Sequence, residues 1–440
     1  MYLFLLGKNP QLSVAELGAF FGDKVKIQKN REHAIVDAPL PMPPQAFLNR
    51  LGGTLEILEL FEHHLPLAAL DSTLLKVLSA KAAEKKGKFE YGLNMAPAAQ
   101  NSQLLKHLLP TMKKALREAG FSSIFLNNNF QNINRIFAEK HHLAEHGNNF
   151  FIIDEGEGRV SIAASRAVQN VDAYAKRDYQ KPFRDAQVGM LPPKLAQIMI
   201  NLAVGAYSSS STSQNSNGLV IYDPFCGTGS LVSEALLMGY AAAGSDKEAR
   251  LVEGAERNLT ELRTAFKVPV SLPSTLFTAS ALDVTRADLE KRLPLTPLFN
   301  SAKPEVGGAH IAAVTEPFLG PALSVFPPPP LLGKIKVELT ELYTAFFAKL
   351  ATWLPAGSPI VFLFPVWQHG QNRIFLTGDS GSMSLIAKIE ALGYSISAFA
   401  PDLEVHGHTH KSQARDSHPG ILYERPDQVV ARQIVRFIKN

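Results

Sequence analysis

The chain has 440 residues, with 44 Lys and Arg against 40 Asp and Glu, and a formal net charge of +4. At ~150 residues per domain this is two to three domains, and the mild basic excess suits an anionic partner without naming one. The single cysteine, Cys226, excludes an internal disulfide and a cysteine-rich zinc cage.

That cysteine usage fits a reducing compartment. No run reaches the ~18 apolar residues of a membrane helix. The apolar opening at residues 1–7 has neither the basic flank nor the length of a signal peptide. A cytoplasmic protein without a membrane partner is therefore expected.

In chain order, residues 2–6 read as a strand and 13–21 as a helix after the Asn9-Pro10 turn. Residues 25–27 and 33–36 read as further strands. A helix over 103–119 is closed by Gly120, with Leu105, Leu108, Met112 and Leu116 on one face. Lys106, Lys113 and Arg117 fall on the other face, with Lys114 beside them. Strands over 149–154 and 159–164 flank the turn Glu155-Gly156-Glu157-Gly158. Residues 171–187, with Lys176, Arg177, Lys181 and Arg184, read as a linker.

A helix over 194–206 precedes a Ser-rich run, 207–218, expected to be an exposed mobile loop. Strands are predicted at 219–222, 241–245, 276–280, 311–315, 359–364, 395–399 and 428–438. Helices at 230–238, 247–265, 286–292, 338–354 and 384–392 separate most of them. This alternation predicts a doubly wound α/β sheet, and the last two strands, lacking a clear helix between them, an antiparallel edge pair.

The most informative segment is Asp223-Pro224-Phe225-Cys226-Gly227-Thr228-Gly229-Ser230, between a short apolar strand and a helix. Gly227 and Gly229 lack a Cβ and let the backbone approach a nucleotide-like ligand. Acids fall at successive strand ends. Asp223 suits a cationic ligand end, Asp246 a ribose hydroxyl, and Asp283 an adenine amino group. That set points to S-adenosylmethionine (SAM). The fourth strand ends in Glu316-Pro317-Phe318-Leu319-Gly320, where Glu316 and the Pro317 carbonyl can accept from an amine and Phe318 can stack on a base.

Together these segments resemble the THUMP-containing class I SAM-dependent RNA methyltransferases, and most closely the tRNA guanine-N2 methyltransferases. The residues that carry the resemblance are Asp223 to Gly229, Gly244-Ser245-Asp246, and the leader Gly189-Met190-Leu191-Pro192-Pro193-Lys194. It departs at the amine-binding motif, where the family has Asp-Pro-Pro-Tyr-Gly and this chain has Glu316, one proline, Phe318 and Leu319.

The resemblance implies a Rossmann-like, seven-stranded methyltransferase domain over 189–440. It also implies an α/β subdomain over 1–60, an α+β THUMP-like RNA-binding domain over 61–170 and a linker over 171–188. Cofactor contacts are expected at Leu191, Pro192, Asp223, Pro224, Phe225, Gly227, Thr228, Gly229, Asp246 and Asp283. Catalytic contacts are expected at Glu316, Pro317 and Phe318. RNA contacts are expected at Lys106, Lys113, Lys114, Arg117, Lys176 and Arg177. The implied activity is methyl transfer to an exocyclic amine of an RNA base, guanine N2 in tRNA first. DNA adenine or cytosine is the alternative substrate, and an RNA-binding protein that keeps SAM but has lost transfer is the other reading. A small activating subunit is compatible with all three.

No metal is expected. His406, His408 and His410 alternate, but no carboxylate or cysteine completes a ligand set there, and a solvated loop is the better reading. The run 326–330, Phe and four prolines, reads as a stiff polyproline wall beside the cleft. Cys226 reads as a packing residue.

Overall fold

The computed structural model describes residues 1–27, 32–96, 102–185, 190–208, 219–293, 310–370, 372–378, 384–399, 418–425 and 428–440. The serine-rich run from 209 and His406, His408 and His410 lie outside them. The described residues form two compact units. One is Met1–Val14 with Asp23–Asp172, and the other is Ala15–Gly22 with the described residues from Ala173 onward.

The first unit is built on a sheet whose order is β2-β3-β1-β4-β8-β7-β5-β6. Its strands are β1 (Tyr2–Leu6), β2 (Val25–Ile27), β3 (His33–Val36), β4 (Thr54–Pro66), β5 (Phe89–Ala96), β6 (Ser123–Phe125), β7 (Asn149–Gly156) and β8 (Arg159–Val168). Strand β4 runs through the boundary drawn at residue 60 and joins β1 to β8 in one sheet. Its length was not visible because Glu59, Glu62, His63 and His64 interrupt the apolar alternation.

The helices Leu70–Ala83 and Ser102–Glu118 pack one apolar side onto β5, β7 and β8. In the second helix Leu105, Leu108, Met112 and Leu116 are all buried, as the periodicity predicts, and Gly120 closes it with φ 86°. Beyond β6 the asparagine-rich run takes over the edge of β5. The Asn127 amide bonds both backbone groups of Leu93, at 3.0 and 2.6 Å, and the Asn132 amide does the same for Met95 at 2.8 and 2.9 Å. Two side chains thereby satisfy main-chain groups that a further strand would otherwise pair.

The second unit is doubly wound. Its strands are β9 (Leu219–Asp223), β10 (Ala241–Asp246), β11 (Ser274–Thr278), β12 (His310–Thr315), β13 (Pro359–His369), β14 (Asn372–Phe375), β15 (Tyr394–Ile396), β16 (Ile421–Tyr423) and β17 (Val430–Lys439). The main path is β11-β10-β9-β12-β13-β17-β15, seven strands, with β14 and β16 paired off it. Strands β9 to β13 are parallel, whereas β17 is antiparallel to both β13 and β15. The predicted antiparallel edge pair is therefore present. One face of the sheet carries an aromatic core in which Tyr343, Phe346, Phe347, Phe362, Phe364 and Phe437 are fully buried.

Two sequence expectations are corrected here. Residues 171–187 are not all linker, because Val171–Asp178 is a helix. Nor is the proline run extended throughout: Pro328, with φ −63° and ψ 153°, is, but the next two are not. Pro329 and Pro330 open the helix Pro329–Ala351 at N1 and N2, where a missing N–H costs nothing.

Candidate active site

The carboxyl ends of β9, β10 and β12 border one cleft of about 640 Å³, within the ~300–1,000 Å³ range of small-molecule sites. Parallel strands put it there, since the strand order reverses direction between β9 and β12.

The turn after β9 is held from several sides. The Cys226 N–H donates to the Ser245 carbonyl at 2.9 Å, and the Gly227 N–H donates to Asp246 Oδ2 at 2.9 Å. Gly227 and Gly229 have φ of 50° and 82°, the left-handed region that favours glycine. Close approach is needed at Gly244 for another reason. A Cβ there would lie 2.8 Å from atoms of Cys226, Leu276 and Val232. Cys226 itself is buried, and burial pushes its thiol well above the usual range, which makes it a packing residue.

The acids differ in environment. Asp223 is 3% exposed, accepts from the Thr315 hydroxyl at 2.7 Å and from the Phe225 N–H at 3.2 Å. Burial pushes its carboxyl up to about 7, against those two hydrogen bonds. Asp246 accepts from Gly227 through Oδ2 and from the Glu248 N–H through Oδ1, at 2.9 and 3.0 Å. Asp283 is exposed and does not line the cleft. Strand β11 ends at Thr278, and Ser280, Ala281 and Leu282 border the cleft instead.

Of the other predicted residues, Leu191, Pro224, Phe225, Gly227, Thr228, Glu316, Pro317 and Phe318 line the cleft, and Pro192 and Gly229 do not. Gly229 acts one step back, as the N-cap of the helix Ser230–Leu237. Glu316 is paired with Arg432 of β17, Nε to Oε1 at 2.5 Å, and both side chains are mostly buried. Phe318 is 56% exposed, while its carbonyl accepts from the Tyr343 hydroxyl at 2.7 Å. Sequence reasoning missed Arg432. Nothing local marks it, because the register Pro365↔Arg432 that brings it there is a long-range pairing.

The predicted RNA-contacting cations divide. Lys106, Lys113, Lys114 and Arg117 are exposed on the helix Ser102–Glu118, with Lys114 3.9 Å from Glu118 and Lys113 5.7 Å above the Phe125 ring. Lys176 is also exposed. Arg177 is not, and this corrects the expectation for it. Its side chain is 8% exposed and pairs with the buried Glu234 at 2.5 Å. Lys181, four residues on, lies 3.2 Å from both Thr228 and Ser230 hydroxyls, and burial lowers its ammonium to about 8. Lys181 thus braces the glycine turn, and Arg177 the helix that follows it.

Comparison with known proteins agrees with the fold. The family described as UPF0020, RMKL-like, methyltransferase domain, matches residues 183–272. The matched stretch lies in the second unit and spans the glycine turn, Asp223 and Asp246.

Within curated proteins, the tRNA (guanine(10)-N2)-dimethyltransferase of Methanothermobacter thermautotrophicus is 41% identical over 83 residues, 19% of this chain and 21% of that protein. The protein of the same name from Methanocaldococcus jannaschii is 38% identical over 80 residues, 18% and 20% of the two chains. The chain thus spans about a fifth of the length of these relatives. Among solved structures, TrmN from Thermus thermophilus aligns over 100% of this chain and 99% of its own, at 14% identity and a TM-score of 0.43. A Synechocystis magnesium protoporphyrin IX methyltransferase with bound SAM aligns over 62% and 99% of the two chains, at 14% identity and a TM-score of 0.31.

Proposed function

We propose that this protein transfers a methyl group from SAM to an exocyclic amine of an RNA base, with guanine N2 in tRNA as the substrate. The observation that carries the proposal is that one cleft holds both the Asp223–Asp246 turn and the Glu316-Pro317-Phe318 segment.

The residues present fit SAM. A carboxylate buried as deeply as Asp223 is ionised at small cost only when a positive charge lies beside it, and the ammonium and sulfonium of SAM are such charges. Asp246 accepts only one N–H on each oxygen, which leaves lone pairs for ribose hydroxyls. Leu191, Ala281 and Leu282 offer apolar surface to a purine ring. Bound SAM supplies an already activated methyl group, so the share left to the protein is positioning.

At the other end of the cleft, Glu316 and the Pro317 carbonyl accept from the amine and aim its lone pair. Phe318 presents an exposed ring on which a base can stack. Arg432 keeps the Glu316 carboxylate oriented. The names of the relatives support a tRNA guanine target. The first unit, read as a THUMP-like RNA-binding domain, docks the RNA through the exposed cations of the helix Ser102–Glu118.

The test is incubation with methyl-labelled SAM and either bulk tRNA or duplex DNA, followed by nucleoside mass spectrometry. N2-methylguanosine in tRNA, abolished by Glu316→Ala, is the expected result. Label in DNA alone, or SAM binding with no transfer to either polymer, overturns it.

A further inference from the structure

Three side chains of the first unit converge on one point. His63 and His64 are consecutive in β4, and consecutive residues of a regular strand face opposite sides of a sheet. Here both imidazoles lie on one side, with centroids 3.8 Å apart and planes 28° apart. The cause is local. His64 has φ 56°, and the pairing of β4 with β8 shifts register between Glu62 and Leu65. A left-handed conformation is unfavourable for a non-glycine residue, so this β-bulge holds the second ring beside the first at a cost.

Both rings turn Nδ1 toward Glu155, at the end of β7. His63 Nδ1 is 2.9 Å from Oε1, and His64 Nδ1 is 2.5 Å from Oε2. The Ser161 hydroxyl of β8 donates to Oε1 and lies 2.8 Å from His63 Nδ1. The Glu155 side chain is 9% exposed, against 28% and 61% for the histidines. Burial pushes the Glu155 carboxyl up, but the Ser161 hydroxyl and the two imidazoles outweigh it and hold the group below its ordinary range.

We propose that His63, His64 and Glu155 form a binding site for a divalent transition-metal ion of the zinc type, with a fourth position open to solvent. Two imidazole nitrogens and one carboxylate are a donor set that zinc accepts, in the three-ligand pattern that leaves a coordination position free. In a tetrahedral site with bonds of ~2.0–2.1 Å, neighbouring ligand atoms are roughly 3.3 Å apart. The three donor atoms already lie within 4.8 Å of one another, so small rotations about the side-chain bonds admit the ion. Ser161 then takes the outer role of anchoring the ligating carboxylate. The ion ties the bulge of β4 to the β7–β8 turn. Protons compete for the imidazole nitrogens, so binding weakens as the solution is acidified.

The test uses the full chain stripped of metal, dialysed against buffered micromolar Zn²⁺, with Co²⁺ as a spectroscopic probe. One retained equivalent and tetrahedral-type Co²⁺ absorption bands are expected. His64→Ala and Glu155→Gln should each weaken binding by more than about tenfold, the least that losing even a residue behind a ligand costs. Metal-free melting temperatures of both variants should stay near that of the parent. A variant with His406, His408 and His410 all changed to alanine should keep the equivalent. No retained zinc, or loss that follows His406 to His410 and not Glu155, overturns the site. The outcome is independent of whether methyl transfer occurs.

Discussion

Arg432 and Glu316 stand 116 residues apart in sequence and share a hydrogen bond of 2.5 Å, Nε to Oε1. The extra methylene of glutamate, relative to the aspartate of the resembled motif, extends the carboxylate toward a guanidinium on β17, which lies beyond β13 from β12. Gln428 fixes the same guanidinium from its other side, accepting from Nη1 at 2.9 Å. Arg432→Ala frees the carboxylate to swing, and a displacement of ~1 Å costs about 100-fold in rate. The expected result is a 10- to 100-fold loss in single-turnover methyl transfer with SAM affinity within a few-fold of the parent. Equal loss of SAM affinity would place Arg432 in the cofactor subsite instead.

Asp223 and Glu234 set the pH dependence of the free protein. Burial pushes both carboxyls up to about 7. At these two groups the folded state therefore binds more protons than the unfolded state between the ordinary carboxylate range and about pH 7, a sign opposite to that of His33, where burial lowers the imidazole to about 4. Stability is lost as pH rises through that window and levels off above it. Melting curves at pH 5, 6, 7 and 8 should show this fall, and Asp223→Asn should flatten part of it. SAM affinity should move the opposite way, rising as Asp223 ionises, so calorimetric titration should give tighter binding at pH 8 than at pH 6.

Two glycines make opposite predictions from the same substitution. Gly244→Ala forces a methyl against Cys226, Leu276 and Val232 at 2.8 Å, and overpacking of this kind costs about 1–3 kcal/mol. Gly333, exposed within the helix Pro329–Ala351, has nothing within 4 Å of a built Cβ. There, alanine should stabilise by about 0.4–1 kcal/mol through helix propensity and a more restricted unfolded chain. Thermal melting of the two variants measures both signs.

The Arg177–Glu234 pair is a structural prediction with an RNA control. Arg177→Met leaves a buried carboxyl without its partner, and losing one side of such a pair costs about 3–5 kcal/mol. The double variant Arg177→Met/Glu234→Leu should recover most of it. The exposed residues behave differently. Lys106→Ala, Lys113→Ala and Arg117→Ala together should leave melting within about 0.5 kcal/mol per site. They should lower the salt slope of tRNA binding by about one per lost phosphate contact, read from filter binding across a salt series.

Most strands and helices of the second unit were legible because they are apolar and punctuated, so local periodicity specifies them; β14, β16 and the first turns of the helix Pro329–Ala351 were not. The glycine turn was legible for the same reason, since its chemistry lies in eight consecutive residues. Long-range features were not. Arg432 enters the cleft by antiparallel registry, Arg177 is buried by a partner 57 residues away, and β4 hides its length behind charged residues. Asp283 misled for a simpler reason. Counting to the next acid assumed that β11 reaches residue 280, and the chain leaves the sheet at Thr278. The histidine pair escaped notice because neighbouring residues of a strand are expected to point apart, and only a bulge puts them together.

The insertion of β17 between β13 and β15 has a consequence for how the cleft is assembled during synthesis. The glycine turn and Asp246 are translated with β9 and β10, and Asp223 gains the Thr315 hydroxyl once β12 follows. Glu316 has to wait for a strand translated much later before its guanidinium arrives. The two ends of the cleft thus mature in sequence, cofactor end first.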